Sequence, residues 1–532
     1  MTMMRKTLLM TLLLVSSAFS TATSTRRHSN SNIDWWCSQT PYPEPCKYYM
    51  QQSHYHHRLK LKHKSEFREI LIHLALERAV IMRKKARDLG HNGITRKEKS
   101  VFRDCLKLYD NTVFHLNRTL QGLHEKRSCS PFDAQTWLST ARTNIETCQH
   151  GALELGVQDF VAPTERCNVT EIISNGLFVN WAFLKYEAVH YTEDAEAEFP
   201  SWFSVHERKL LQSSSIRAHL VVAKDGSGHF KSVQAAINAA ARRRTKSRFI
   251  IHVKRGVYRE NIEIDKTNDN IMLFGDGMRN TIITSGRSVN AGYTTYSSAT
   301  AGVDGLHFIA RDITFRNTAG PLKGQAVALR SASDLSVFYR CSIEGYQDTL
   351  MVHAQRQFYR GCYIYGTVDF IFGNAAVVFQ NCVILVRRPL NGQANMITAQ
   401  GRDDPFQNTG FSIHNSQIRA APDLRPVIGR FNTFLGRPWQ RYSRVVVMKS
   451  FLDSMVNPMG WSPWDDSNFA LNTLYYGEYM NFGPGSSTRN RVRWPGFHSI
   501  TSPTEASRFT VANLLAGRTW LPATGVPFTS GL

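Results

Sequence analysis

Long apolar runs are almost missing from these 532 residues: beyond the stretch Leu8 to Val15, none approaches the length needed to span a bilayer. No membrane span is therefore expected. Cysteine is present nine times, an odd number, so at least one thiol stays unpaired within a single chain. Acidic residues are also in short supply, 42 against 64 lysines and arginines, and the deficit is concentrated from Gln212 onward, where 20 acids meet 36 bases. A surplus of that size suits a polyanionic partner.

What the first residues do contain is a secretory leader. Arg5 and Lys6 precede the apolar run, and the small residues Ser16, Ser17, Ala18, Ser20 and Ala22 follow it, so residues 1–24 read as a signal peptide. Export makes an acidic polysaccharide a better polyanion than nucleic acid, and no nucleic-acid partner is expected. Two glycosylation sequons agree with that route, at Asn117 and Asn168. Six of the nine cysteines (Cys37, Cys46, Cys105, Cys129, Cys148, Cys167) precede residue 200, where an oxidising compartment would use them as staples.

Residues 33–198 carry helical periodicity. Phe67, Ile70, Leu71 and Leu74 share one face of a helix from Glu66 to Leu89, and Phe102, Cys105, Leu106, Tyr109, Val113, Leu116 and Leu120 share a face of the next. Ser130-Pro131 opens a third helix that runs to Leu155, with a cap residue followed by proline at the first helical position. A fourth covers Thr170 to Val189. Four such helices joined by modest loops predict an all-α four-helix bundle. Residues 199–217 form a linker with a dibasic step, Arg208-Lys209-Leu210-Leu211, placed where processing would separate two compositionally different halves.

From residue 218 to 527 the texture changes to short strands separated by Gly and Asn, apart from a short helix at Val233 to Ala241. Strands are expected at Phe249–Val253, Ile271–Phe274, Thr281–Thr284, Leu306–Phe315 and Val377–Leu385. Similar phrases recur around Cys341, Cys362 and Cys382, at intervals of 21 and 20 residues. A repeat of that length, one set of short strands per coil, predicts a right-handed parallel β-helix. The three cysteines would stack inward as small hydrophobes, with Thr314 and Ser416 in the equivalent positions one coil beyond each end.

The same interval separates Asp348 from Asp369. The two carboxyls are then neighbours on adjacent coils, about 5 Å apart. Gln325 lies 22 residues before Gln347 and should reach the same patch from the preceding coil. Two carboxyls this close share a proton, and Arg437 is a candidate to fix which one stays ionised. An ionised carboxylate, a carboxylic acid and two amide donors suit acyl transfer from an ester. Two carboxylates also suit glycoside hydrolysis, and the paired glutamines favour the esterase over that rival. A lyase is a third reading, disfavoured because no acidic calcium-binding cluster surrounds the pair.

The blocks GYQDTL (Gly345 to Leu350), YGTVDFIFGN (Tyr365 to Asn374) and LGRPW (Leu435 to Trp439) resemble the signatures of the plant pectinesterases in order and separation. Upstream, Cys37 to Cys46 and the helices that follow resemble the invertase/pectin methylesterase inhibitor domain. The resemblance implies hydrolysis of pectin methyl esters in the cell wall, without metal or organic cofactor. It makes Asp369 the nucleophile, Asp348 the proton donor and later base, and Gln347 the stabiliser of the transition state. It also makes Thr295, Gln325, Arg437, Trp439 and Phe370 substrate-binding residues. For the inhibitor-like half it implies the disulfides Cys37–Cys46 and Cys105–Cys148 and an autoinhibitory role. A processing protease would cut at Arg208 to Leu211, and a separate inhibitor protein is a possible partner of the enzyme half. Cys129 and Cys167 fall outside those pairs and are expected to meet each other, if they pair at all. Cys341, Cys362 and Cys382 are expected mostly as free thiols. The alternative is a protein-binding regulatory module on a weakly active β-helix.

Overall fold

The computed structural model describes residues 32–53, 61–91, 95–124, 128–190, 217–243, 247–465 and 467–532. The leader, most of the linker and the Arg208 to Leu211 step lie outside the described residues.

The amino-terminal half is helical. After α1 (residues 32–38) come α2 (Pro43–Gln52), α3 (Lys64–Asp88), α4 (Arg96–His124), α5 (Pro131–Leu155), α6 (Gln158–Glu165) and α7 (Val169–His190). The four long helices α3, α4, α5 and α7 form the bundle, and α2 and α6 are short elements that the periodicity did not reveal. Ser130 and Asp133 close a capping box at the start of α5, and Gly156, at φ +68°, ends it. Disulfides join Cys37 to Cys46 and Cys105 to Cys148. Cys129 and Cys167 are both free and buried and do not pair with each other.

The carboxy-terminal half is a parallel β-helix. Its strands stack into sheets of eleven, eight and seven strands, every pairing parallel, and the chain visits the three in turn on each coil. The turn from the eleven- to the eight-stranded sheet is made by one left-handed residue: Asp312, Arg340, Gly361, Asn381, Asn415 or Lys449, at φ between +50° and +60°. That corner corrects two expected strands. Leu306–Phe315 is divided at Asp312 into Ile309–Arg311 and Thr314–Asn317, and Val377–Leu385 is divided at Asn381 into Ala376–Gln380 and Val383–Val386.

Inside the coils, side chains of one kind stack on each other. Phe338 lies on Tyr359 with ring centroids 4.6 Å apart, and Tyr359 lies on Phe379 at 5.0 Å. Cys341, Cys362 and Cys382 are buried and free in the adjacent row. Ser416 continues that row, since Val383 pairs with Gln417. Thr314 does not: it pairs with Ser342, so Ile313 is the counterpart of Cys341. That coil is 28 residues long, one more than the assumed alignment.

The ends and one face are covered. Helix α8 (Val233–Ala240) closes the first coil with Val233, Ala236, Ile237 and Ala240. The last segment lays Val511, Leu515, Trp520 and Leu521 over the outer face of the eleven-stranded sheet, against Met272, Val337 and Phe358. The bundle covers part of the seven-stranded sheet. No helix among the described residues is long and apolar enough to cross a membrane.

Candidate active site

Asp348 and Asp369 sit at the corner where the chain leaves the eight-stranded sheet for the seven-stranded one, just before strands Leu350–Val352 and Ile371–Gly373. Leu350 pairs with Ile371, so the 21-residue interval puts the aspartates in register. Both adopt left-handed backbone, φ +59° and +50°, a conformation that Asp tolerates better than most residues. The amide of Asp348 donates to the carbonyl of Val368 at 3.0 Å, tying one corner to the next. The two side chains are buried, with 8% and 7% of each residue exposed.

Burial raises both carboxyls, and they differ in their neighbours. Arg437 donates from Nε to Asp369 Oδ1 at 2.9 Å and from Nη2 to Oδ2 at 2.5 Å, a two-pronged contact that favours the ionised form. Asp348 has no such partner. Burial, the Asp369 charge and Glu154 together push it well above the usual carboxylate range. The pair therefore holds one proton, on Asp348. The Arg437 guanidinium is itself backed by the Trp464 ring, 4.4 Å away.

Gln325, Gln347, Thr295 and Trp439 line the same cavity of about 300 Å³ as the two aspartates and Arg437. Extending the register of Leu329 with Leu350 aligns Ala326, rather than Gln325, with Gln347, so the 22-residue spacing is one residue out of step. Among the described residues neither glutamine side chain is bonded to protein, which leaves both carboxamides for a ligand. Trp439 stands over Gly401, where a Cβ would come within 2.7 Å of the indole.

Phe370 is a correction. It is fully buried in the core of the coils, on the side opposite the cleft-facing Asp369, and Ile371 points inward beside it. Besides Trp439, the aromatic side chains of the β-helix that line the cavity are Phe372, Trp464 and Tyr296, with Met351 and Ala399 beside them. Met351 pairs with Phe372 on the outward row. No sequence spacing pointed to Trp464.

The remaining wall belongs to the bundle. Helix α5 presents Thr147, His150, Gly151, Leu153 and Glu154 to the cavity. Glu154 accepts hydrogen bonds from the Thr295 amide, at 2.7 Å, and from the Thr295 hydroxyl. His150 packs against Trp439 with ring centroids 5.2 Å apart and bonds Gln440 at 2.8 Å. Around the rim, Arg142 reaches Asp403 at 2.7 Å, the Trp137 indole donates to Asp334 at 3.1 Å, and Lys107 pairs with Asp304 at 2.7 Å. A signal for this docking was present but unread. Thr136, Ser139, Thr140, Thr143 and Thr147 mark one face of α5 with hydroxyls, and the first four of them are buried.

The sequons lie elsewhere on the bundle. Asn117 is exposed on α4, and Asn168, before α7, accepts a hydrogen bond from the Tyr49 hydroxyl at 3.2 Å.

Comparison with known proteins gives the same division of the chain. Residues 219–518 match the Pectinesterase family, and residues 31–179 match the family described as plant invertase/pectin methylesterase inhibitor. A probable pectinesterase/pectinesterase inhibitor 33 of Arabidopsis thaliana is 59% identical over 94% of this chain and 86% of its own length. Pectinesterase 2 of Citrus sinensis is 53% identical over 97% of this chain and 98% of its own. Among solved structures, the pectin methylesterase from carrot superposes with a TM-score of 0.59 at 57% identity, covering 60% of this chain and all of that one. With an aspartate pair, two unspent glutamines and an arginine clamp on one β-helix corner, and with matches on this scale, the chain belongs to the pectinesterase family and carries an inhibitor-family domain ahead of the enzyme.

Proposed function

We propose that the β-helix hydrolyses the methyl esters of homogalacturonan to free carboxylates and methanol, with Asp369 as nucleophile. The observation that carries this reading is the asymmetry of the pair, one carboxylate clamped by Arg437 and one carboxyl kept protonated. Asp369 attacks the ester carbonyl carbon, and the oxyanion that forms is stabilised by the Gln347 and Gln325 carboxamides. The bond to the methoxy oxygen breaks as Asp348 delivers its proton, and methanol leaves. Asp348, now a carboxylate, takes a proton from water as the water attacks the acyl-enzyme. That step frees the sugar acid and restores both aspartates. Trp439, Phe372 and Trp464 offer apolar faces for pyranose rings, and the basic surplus of this half suits the acidic product. The leader supports export to the cell wall.

The test is stoichiometric. Highly methylated pectin should yield methanol and titratable acid in equal amounts, with no new reducing ends and no unsaturated product. Reducing ends without methanol would indicate a glycosidase, and unsaturated product a lyase.

A second reading is favoured by the position of α5: in the undivided chain the bundle masks the active site, and cutting at Arg208 to Leu211 releases it. Several acids at the contact are raised by burial. Asp104, which bonds Thr294, rises to about 6, and Glu146, which also faces Asp403, rises to about 8 despite Arg142. An acid raised in the docked state favours docking fully below its ordinary value and loses that contribution as pH rises through the raised one. Asp304 and Asp334 are held down by Arg330 with Lys107 and by Arg356, against the effect of burial, and stay charged throughout. The contact imidazoles His115, His150 and His353, lowered by burial, act in the opposite sense below their ordinary value of 6.5, so masking should weaken between about pH 6.5 and 8, where Glu146 alone still titrates. The ratio of undivided to protease-cut activity, measured across that range, should climb toward one, and a flat ratio would contradict the reading.

A further inference from the structure

The aspartates lie on a corner whose backbone is held from outside by a residue with no place in the chemistry above. Gly345 and Tyr346 precede Gln347 and Asp348 on one coil, Gly366 and Thr367 precede Asp369 on the next, and Arg387 follows strand Val383–Val386 on the third. Gly366 pairs with Val386, so Arg387 aligns with Thr367, and Thr367 in turn aligns with Tyr346.

Arg387, on the third level, bonds to both of the others. Its amide donates to the Gly366 carbonyl at 2.8 Å. Its guanidinium donates from Nη1 to the Gly345 carbonyl at 3.0 Å and from Nη2 to the Tyr346 hydroxyl at 2.6 Å, while lying 3.7 Å over the Tyr346 ring. Asp423, 3.3 Å from Nε, holds the far side of the fork. The Tyr346 carbonyl, fixed by this grip, accepts the Thr367 amide at 2.9 Å and the Thr349 hydroxyl at 3.0 Å.

We infer that Arg387 is a positioning residue, which sets the spacing of the corners bearing Gln347, Asp348 and Asp369 by clamping the residues just ahead of them across three coils. The strand ladders fix the coils. At the corners, two left-handed aspartates on consecutive coils must be held against a backbone preference for other conformations. The Gly345 amide meets the Tyr365 carbonyl at a long 3.4 Å, so the backbone bond is stretched at the residue the guanidinium grips. A planar fork on a ring and two acceptors is geometry that lysine cannot reproduce.

The inference rests on the esterase reading for its kinetic consequence only. In the full chain, Arg387→Ala should lower kcat by about 10- to 100-fold, the scale of an ångström-level misplacement. KM should stay within about twofold of the parent in the same state of processing. Arg387→Lys should recover part of the loss, and Tyr346→Phe, which keeps the ring but not the hydroxyl, should lose less than the alanine variant. Amide hydrogen exchange, which needs no activity, should quicken in residues 345–350 and 366–371 of Arg387→Ala and nowhere else. Unchanged exchange in those segments overturns the inference, as does a kcat within twofold of the parent. A lowered melting temperature with exchange raised throughout the β-helix, shared by Arg387→Lys, would make Arg387 a general structural brace and also overturns it. A protease-cut parent that releases no methanol would refute the esterase reading, while the exchange result would still decide the role of Arg387.

Discussion

Replacing Asp369 by alanine is expected to cut methanol release by roughly 10⁴-fold or more, the scale on which removal of a nucleophile or its base acts elsewhere. The reason lies in the division of labour at the corner. Only Asp369 is both ionised and oriented, because Arg437 holds both of its oxygens. Asp348 cannot take over as nucleophile: losing the Asp369 charge eases its ionisation, but no arginine clamps its oxygens toward the ester and no acid then remains to protonate the departing methoxide. The fold should survive. The Arg437 guanidinium keeps the Trp464 ring and its carbonyl, the latter at 3.4 Å, and its side chain is 23% exposed, so water can serve the freed donors. Single-turnover methanol release and a melting curve would be measured together. A variant that keeps its melting temperature and more than a tenth of parental turnover would remove Asp369 from the mechanism.

The second large effect runs in the opposite direction, which makes it hard to confuse with misfolding. Glu154→Ala in the undivided chain is expected to raise methanol release by about tenfold or more, because two hydrogen bonds to a charged acceptor hold α5 on Thr295. Its effect on the chemistry is indirect: the Glu154 charge is one of the influences that raise Asp348. After proteolytic separation, parent and variant should have equal activity, since Glu154 then belongs to the departed half. If the undivided parent already matches the separated enzyme, the bundle does not mask the site, and no single contact on α5 can be its latch.

Much of this was legible in the amino acids. Helical spacing and the Ser130-Pro131 cap located the long helices, and the 20- and 21-residue intervals revealed the coils. The aspartate pair followed from applying one of those intervals to a second residue type. What stayed hidden was local. Phe370 enters the expectation only through the resemblance, and it lies one residue past the cleft-facing Asp369, pointing into the coil. Thr314 falls one residue out of step with Cys341 because no phrase recurs on that coil to fix its length, and successive coils here span 28, 21, 20 and 34 residues. The wall formed by α5 was hidden for a different reason. A helix face rich in hydroxyls looks like one meant for water until the surface opposite is known.

That face also determines what becomes of the two halves once they part. The hydroxyls of Thr136, Thr140, Thr143 and Thr147 each bond to the carbonyl four residues earlier on their own helix. They stay satisfied whether or not the β-helix is present. Across the boundary they meet Asn374, His353 and Asn408, groups that accept water as readily as protein. The hydroxyl-lined part of this joint thus behaves as a wettable seam, ready to part, while Tyr296, Val327, Met351, Phe372 and Ala399, which pack with the apolar cluster of the bundle, form the patch that a cut in the linker would bare.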